Sequence, residues 1–209
     1  MPKTATRSRK SSKSAKKGQR KPVRKSGRKS ARKSTISASK QSPLAMLYPD
    51  LESELETTRR MLARVPNGQN DWRPHTKSRT LGELATHLAQ LPGFALLMVT
   101  QDVFEGNPAG RGEPRLVTSA DRVALFDELS AQLKGVLQQM TWDRANATWS
   151  LRSGGQTRFS APRGTVLRTV FLTHSAHHRA QLGVYLRLLE TPVPWSYGPS
   201  ADEQLPPAP

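Results

Sequence analysis

The sequence contains no cysteine. This absence excludes disulfide bonds, thiolate metal sites and a cysteine nucleophile from the chemistry of the chain. A cysteine-free protein is compatible with a reducing compartment, and we expect a cytoplasmic location. Any thiol that takes part in a reaction must therefore come from a small molecule.

Long apolar runs are also missing, since no stretch approaches the roughly 18 consecutive apolar residues of a transmembrane helix. The N-terminus is basic but lacks the apolar segment of a secretory signal. An organelle transit peptide has a similar basic, serine-rich composition and is an alternative. Against it, Val23 and Ile36 are the only sizeable apolar residues after Met1 in the first 40 positions, too few for an amphipathic helix.

Acidic residues are absent from positions 1–40, which hold 16 of the 33 lysines and arginines. The remaining 17 basic and 16 acidic side chains leave the rest of the chain nearly neutral. Self-repulsion and the scarcity of apolar surface predict a disordered tail over residues 1–42. Apolar residues return near Pro43, so we expect one folded domain over residues 43–209.

The tail repeats the motif Arg-Lys-Ser behind a small or apolar residue, at Arg24, Lys25, Arg28, Lys29, Arg32 and Lys33. Cations without nearby anions neutralise phosphates and predict non-specific, salt-dependent nucleic-acid binding, with association with the nucleoid as one consequence. No aromatic residue lies among them, so base stacking is not expected. The alternatives are a solubilising tail, a wrongly assigned start codon or binding to an acidic lipid surface.

Apolar residues in the domain recur at spacings of three and four in four segments, which predicts four helices. The second begins after Thr80, with Glu83 completing a capping box, and the last runs from about Pro162 to Leu189. Two short β-prone runs around Gly154-Gly155 predict a small hairpin before the last helix. We therefore expect an all-α four-helix bundle with one short hairpin and a disordered basic tail.

Three histidines fall on the apolar faces of these helices. His174 and His178 lie one turn apart in the last helix, and an i, i+4 pair brings two imidazoles over one spot. His87 lies on the apolar face of the second helix and is the expected third ligand, with His75 as a competing candidate. His177 falls at the edge of the same face as His174. Ordinary hydrogen-bonded core histidines are the alternative interpretation.

Two long segments, DWRPHTKSRTLGELATHLAQLPG and HSAHHRAQLGVYLRLLETPVPWSYGPSADE, resemble the signature of the DinB-like family of proposed metalloenzymes. The resemblance covers about residues 44–203 and excludes the tail. Ala180, Glu190 and Trp195 depart from the usual pattern without touching a proposed ligand. The resemblance implies a four-helix bundle, often a homodimer, with a divalent metal held by His87, His174 and His178.

A three-histidine site with open coordination positions would activate water or a thiolate. The wider superfamily includes thiol transferases, so the resemblance implies a metal-dependent hydrolase or thiol transferase with Zn, Ni, Mn or Fe and a small-molecule thiol. Glu83, Arg179 and Tyr185 are candidate catalytic residues, with helix capping, a surface salt bridge and core packing as their respective alternatives. A non-enzymatic nucleic-acid-associated protein, with the bundle as a metal-binding or dimerisation scaffold, is the second hypothesis.

Overall fold

The computed structural model of the protein describes residues 43–106 and 116–204. The helices and strands follow in the order α1 (Pro43–Leu47), α2 (Leu51–Ala63), α3 (Leu81–Thr100), β1 (Val103–Gly106), α4 (Ser119–Gln138), α5 (Trp142–Asn146), β2 (Thr148–Ser153), β3 (Gln156–Pro162), α6 (Arg163–Val166), a π-helical segment (Leu167–Thr173) and α7 (His174–Leu188). The six tail cations that we expect to bind nucleic acid lie outside the described residues. None of the described helices is long and apolar enough to cross a membrane.

The prediction of an all-α four-helix bundle is wrong, because the chain also forms a three-stranded mixed sheet in the order β1-β2-β3. The expected hairpin forms from β2 and β3, which pair antiparallel. Gly154 and Gly155 take φ values of +60° and +73° at its turn, a conformation that glycine adopts without steric cost. β1 then pairs in parallel with β2, from Val103 opposite Ser150 to Gly106 opposite Ser153.

The strand β1, which is only four residues long, was not predicted from the sequence. Its backbone hydrogen bonds come from β2, more than 40 positions later in the chain, and no local propensity reports such a partner. The parallel pairing places the sheet beside the C-terminal end of α3.

The core lies between α2, α3, α4 and the last helix. Leu62, Leu88, Leu133 and Leu182, one from each of these elements, are completely buried. Burying a leucine side chain contributes about 1.5–3 kcal/mol, so such residues hold the helices together. The core thus fixes α3 and α7, which carry the histidines, against each other.

Arg163 ties the start of the last helix to the end of α3. Its guanidinium is fully buried and donates to the carbonyl oxygens of Met98 at 2.6 Å, Gln101 at 2.9 Å and Arg144 at 2.9 Å. It also pairs with the Asp102 carboxylate at 2.6 Å. These bonds satisfy carbonyls that the end of a helix leaves open and fix the relative position of the two elements.

The last helix runs from Arg163 to Leu188 through the π-helical segment, which ends immediately before His174. Within it the Thr173 hydroxyl donates to the carbonyl of Arg168 at 3.0 Å, five residues back. A π-turn is wider than an α-turn and shifts the angular position of the residues after it, and such segments are frequent at functional sites. The sequence predicted an uninterrupted α-helix here.

Candidate metal centre

The position of His87 is fixed by how α3 begins. The Thr80 hydroxyl accepts a hydrogen bond from the Glu83 amide at 3.1 Å, and the Glu83 carboxylate accepts one from the Thr80 amide at 2.7 Å. The predicted capping box is therefore present. The Thr80 backbone hydrogen bond is the main reason why the pKa of Glu83 is lowered. With its carboxylate held in the cap, Glu83 stays only a prediction as a general base.

The structure brings His87, His174 and His178 together. Nε2 of His174 lies 3.2 Å from Nε2 of His87 and 2.9 Å from Nε2 of His178. One ring nitrogen from each of the three lies within 4.8 Å of the other two. Two nitrogens bound to one tetrahedral zinc at about 2.0–2.1 Å would be about 3.4 Å apart, so the arrangement is close to that of a shared ion.

Gln181 orients one of these imidazoles. Its Oε1 lies 2.7 Å from Nδ1 of His178, while Nε2 of the same ring faces His174. A proton on Nδ1 that is donated to the amide oxygen leaves the Nε2 lone pair directed at the centre of the group. Gln181 was not predicted from the sequence, although its position one turn after His178 was a usable signal.

All three imidazoles are held in the form that binds metal. Burial is the main cause that lowers the pKa of His87 to about 4, and Arg79, His178 and His174 lower it further. Burial also leads the causes that lower the pKa of His174 and His178. Neutral imidazole is the ligand state, so no proton needs to be displaced from these side chains near neutral pH.

The two other histidines lie outside the group. His75 is exposed and its Nδ1 accepts a hydrogen bond from the Lys77 amide at 3.1 Å. His177 is exposed on α7, with its ring centroid 5.0 Å from that of His178 and 6.4 Å from that of His174. The group of potential ligands in the described residues contains neither of them.

Arg179 is not a surface residue, because 1% of it is exposed. It pairs with the Glu54 carboxylate at 2.7 Å and donates to the Thr58 hydroxyl at 3.0 Å. It also donates to the Tyr197 hydroxyl at 2.6 Å, and that hydroxyl donates to Glu54 at 3.0 Å. These contacts join α7, α2 and the C-terminal segment, so Arg179 has a structural role. The salt bridge that was the alternative interpretation of Arg179 is therefore present, but it is buried and not at the surface.

Tyr185 is buried on α7, in edge-to-face contact with Trp72 at 5.5 Å between ring centroids. Its hydroxyl donates to the backbone carbonyl of Arg79 at 3.1 Å. The bond links α7 to the segment before α3. A substrate contact by Tyr185 stays a prediction.

The family of the chain is identified by its similarity to a known protein family. The sequence model of the DinB family matches residues 39–206. The chain belongs to the DinB family. No protein with curated annotation matches the chain. DinB family proteins are metal-associated, and the three-histidine group of this member could bind a metal ion.

Two solved structures have a similar fold. A DinB-like protein from Bacillus cereus is 21% identical, with a TM-score of 0.57 over 72% of this chain and 95% of that one. A DinB-like protein from Bacillus subtilis is 16% identical, with a TM-score of 0.52 over 77% of this chain and 99% of that one. At these identities the likeness shows the fold alone.

Proposed function

We propose that this DinB family protein is a metal-dependent enzyme, of the hydrolase or thiol-transferase type, with a divalent ion on His87, His174 and His178. The observation that carries the proposal is the convergence of three imidazole nitrogens without a carboxylate in the group. Three protein ligands leave further coordination positions for water or substrate, as catalytic rather than structural sites do. The ion, Zn, Ni, Mn or Fe, would act as a Lewis acid and lower the pKa of a bound water or thiol.

The protein's own residues would bind the ion and orient its ligands. Gln181 fixes the ring of His178, and partial burial keeps the three imidazoles neutral. The absence of cysteine means that a thiol reaction would use a small-molecule thiol as co-substrate. Hydrolysis would need no thiol, because a water on the ion held by the three histidines would be the nucleophile.

Metal content tests the proposal directly. Full-length protein purified without a histidine tag should contain about one divalent ion per chain by elemental analysis. His87→Ala and His178→Ala should each lose most of it, because two imidazoles hold an ion much more weakly than three. The exposed His177→Ala, one position from His178, is the matched control and should keep its metal. Full retention in both ligand variants would refute the site.

Activity is tested separately on the metal-loaded protein. Model esters and model electrophiles, the latter with and without a low-molecular-weight thiol, distinguish hydrolysis from thiol transfer. A reaction that is lost in His87→Ala and kept in His177→Ala supports an enzyme. A metal-loaded protein without either activity favours the second candidate function.

The second candidate is a non-enzymatic protein that associates with DNA or RNA through its tail, with the domain as a metal-binding or dimerisation scaffold. It is favoured by the 16 basic and no acidic residues in positions 1–40. The two functions are compatible, since an enzyme with such a tail would also bind nucleic acid. We further propose a homodimer, for which sedimentation should give about twice the chain mass of 23.1 kDa.

A further inference from the structure

A row of apolar side chains on α7 faces solvent. Ala176, Ala180, Val184 and Leu188 recur at every fourth residue, so they form one ridge along the surface of the helix. Ala176 is half-buried and Ala180 is exposed, while Val184 and Leu188 expose 60% and 56% of their surface. Residues two positions apart in a helix point about 200° apart, so Ala180 points away from His178. The ridge is therefore distinct from the side of α7 that faces the three-histidine group.

A groove of about 460 Å³ runs beside this ridge, between α7 and the C-terminal segment that follows it. The ring of Tyr197, which is 72% exposed, borders the groove. Other small or apolar residues that line it are Met61, Gly183, Val193 and Pro199. A ridge of side chains beside a groove is the surface against which a second helix packs.

The charges at this surface are neutralised within the chain. The charged side chains that line the groove, in the part of the chain that the structure describes, are Arg179 and Arg187. Arg179 pairs with Glu54 at 2.7 Å, and Arg187 pairs with Asp202 at 2.5 Å. A two-fold contact brings identical patches together, so unpaired charges of one sign would repel each other. Because both arginines are already paired, a second copy of the chain meets no such repulsion here.

The side chains of the ridge grow in size along the helix, from Ala176 and Ala180 to Val184 and Leu188. In an antiparallel pair of α7 helices that cross beside residue 182, Ala180 lies opposite Val184 of the partner subunit. One turn further out, Ala176 lies opposite Leu188 of the partner subunit. Each contact then joins a small side chain to a large one, which fills the space without voids or clashes. A parallel pair would instead set alanine against alanine and leucine against leucine.

We propose that this ridge and groove form the interface of the homodimer, with α7 packed antiparallel against α7 of a second copy. The inference rests on the homodimer proposed above and assigns its surface and register, and it does not depend on the metal-dependent activity. Each contact occurs twice in a two-fold pair, so the ridge of each copy enters the groove of the other. The interface also holds the helix that carries His174 and His178 from its outer side.

The test measures dimerisation of the full-length protein, freed of nucleic acid, by sedimentation over a range of concentrations. Val184→Arg places a charge in the middle of the ridge and should weaken the dimer about a hundredfold, because an unpaired charge in an interface is costly. Ala180→Asp should weaken it for the same reason. Both positions are exposed, so the fold tolerates these changes. Val117→Arg, at a valine that is 51% exposed just before α4, is the matched control and should dimerise like the wild type.

A mixture of the two ridge variants tests the antiparallel register. In a mixed dimer the carboxylate introduced in one chain lies opposite the guanidinium introduced in the other, and the second contact keeps Val184 against Ala180. The mixture should therefore form dimers at concentrations where each variant alone is monomeric.

Dimers of wild-type strength in both ridge variants would overturn the α7 interface and leave the homodimer intact. Equal weakening by Val117→Arg, or a mixture that stays monomeric, would overturn it as well. A wild-type protein that is monomeric at every concentration would refute the homodimer itself, and the inference with it. The metal content of the same samples is measured separately, so that none of these results is confused with failure of the metal site.

Discussion

Gln181 Oε1 lies 2.7 Å from His178 Nδ1, and this contact directs the opposite nitrogen of the ring to the three-histidine group. An outer hydrogen bond of this kind fixes both the tautomer and the orientation of a ligand imidazole. Gln181 is exposed, so its substitution tests this orientation with little effect on the fold.

Gln181→Leu should lower the affinity for the divalent ion about 10–100-fold, the usual cost of losing an outer partner of a ligand. Competition with a chromophoric chelator measures this affinity. Gln181→Glu should retain most of it, since the carboxylate still accepts the Nδ1 proton. Gln132→Leu, an exposed glutamine on α4, is the control and should bind like the wild type. A Gln181→Leu protein with wild-type affinity would contradict the orienting role.

The buried pair of Glu54 and Arg179 should matter for stability. Glu54→Ala leaves the Arg179 charge buried without its carboxylate, and breaking a buried pair costs about 3–5 kcal/mol. Urea unfolding of the full chain measures this cost. Glu52→Ala on the same helix removes the exposed partner of Lys134 and should cost less than about 1 kcal/mol. Equal costs for the two variants would show that burial does not decide the value of the pair.

The stability of the metal-free protein should fall as the pH falls from about 6.5 to 4. Burial first, and then the neighbouring charges, lower the pKa of His87 from 6.5 to about 4 in the folded state. The unfolded chain therefore binds a proton at His87 at a higher pH than the folded chain does. Stability rises with pH across this window. Above pH 6.5 the contribution is fully present, and it is lost as the pH falls towards 4.

Urea midpoints of the chelator-treated protein between pH 7.5 and pH 4.5 check this prediction. His87→Gln should show a shallower pH dependence, because the titrating group is removed. His75→Gln, at an exposed position outside the group, should follow the wild type. A wild-type slope in His87→Gln would assign the pH dependence to other residues.

The tail should make nucleic-acid binding steeply dependent on salt. Replacing Arg24, Lys25, Arg28, Lys29, Arg32 and Lys33 by glutamine in the full chain removes six of the 16 tail cations. Binding to double-stranded DNA should weaken, and the slope of log affinity against log salt should become less negative by up to about 0.9 for each phosphate that the tail no longer neutralises. Fluorescence anisotropy between 50 and 200 mM salt gives the slope. Replacing Lys134, Arg152 and Arg187 in the domain is the control, and equal effects would argue against the tail.

Part of this structure follows from local sequence signals. Thr80 and Glu83 form a capping box because both groups lie within one helical turn, and Gly154-Gly155 form the hairpin turn because glycine adopts positive φ. The strand β1 and the π-helical segment were not predicted from the sequence. Val103–Gly106 becomes a strand only because β2 supplies its hydrogen bonds, and the π-helical backbone before His174 leaves no recognisable pattern in sequence.

The candidate site likewise follows in part from local sequence signals and in part from the tertiary structure alone. The helical period by itself places His174 and His178 one turn apart on one face, and the apolar neighbours of His87 by themselves place it towards the core. Only the tertiary structure decided that these faces meet within 3.2 Å, that Arg179 is buried against Glu54, and that Arg163 joins the two helices. The physical reason is range: turns, caps and helix faces depend on residues a few positions apart, whereas meeting distances and buried ion pairs depend on how distant segments pack around one core.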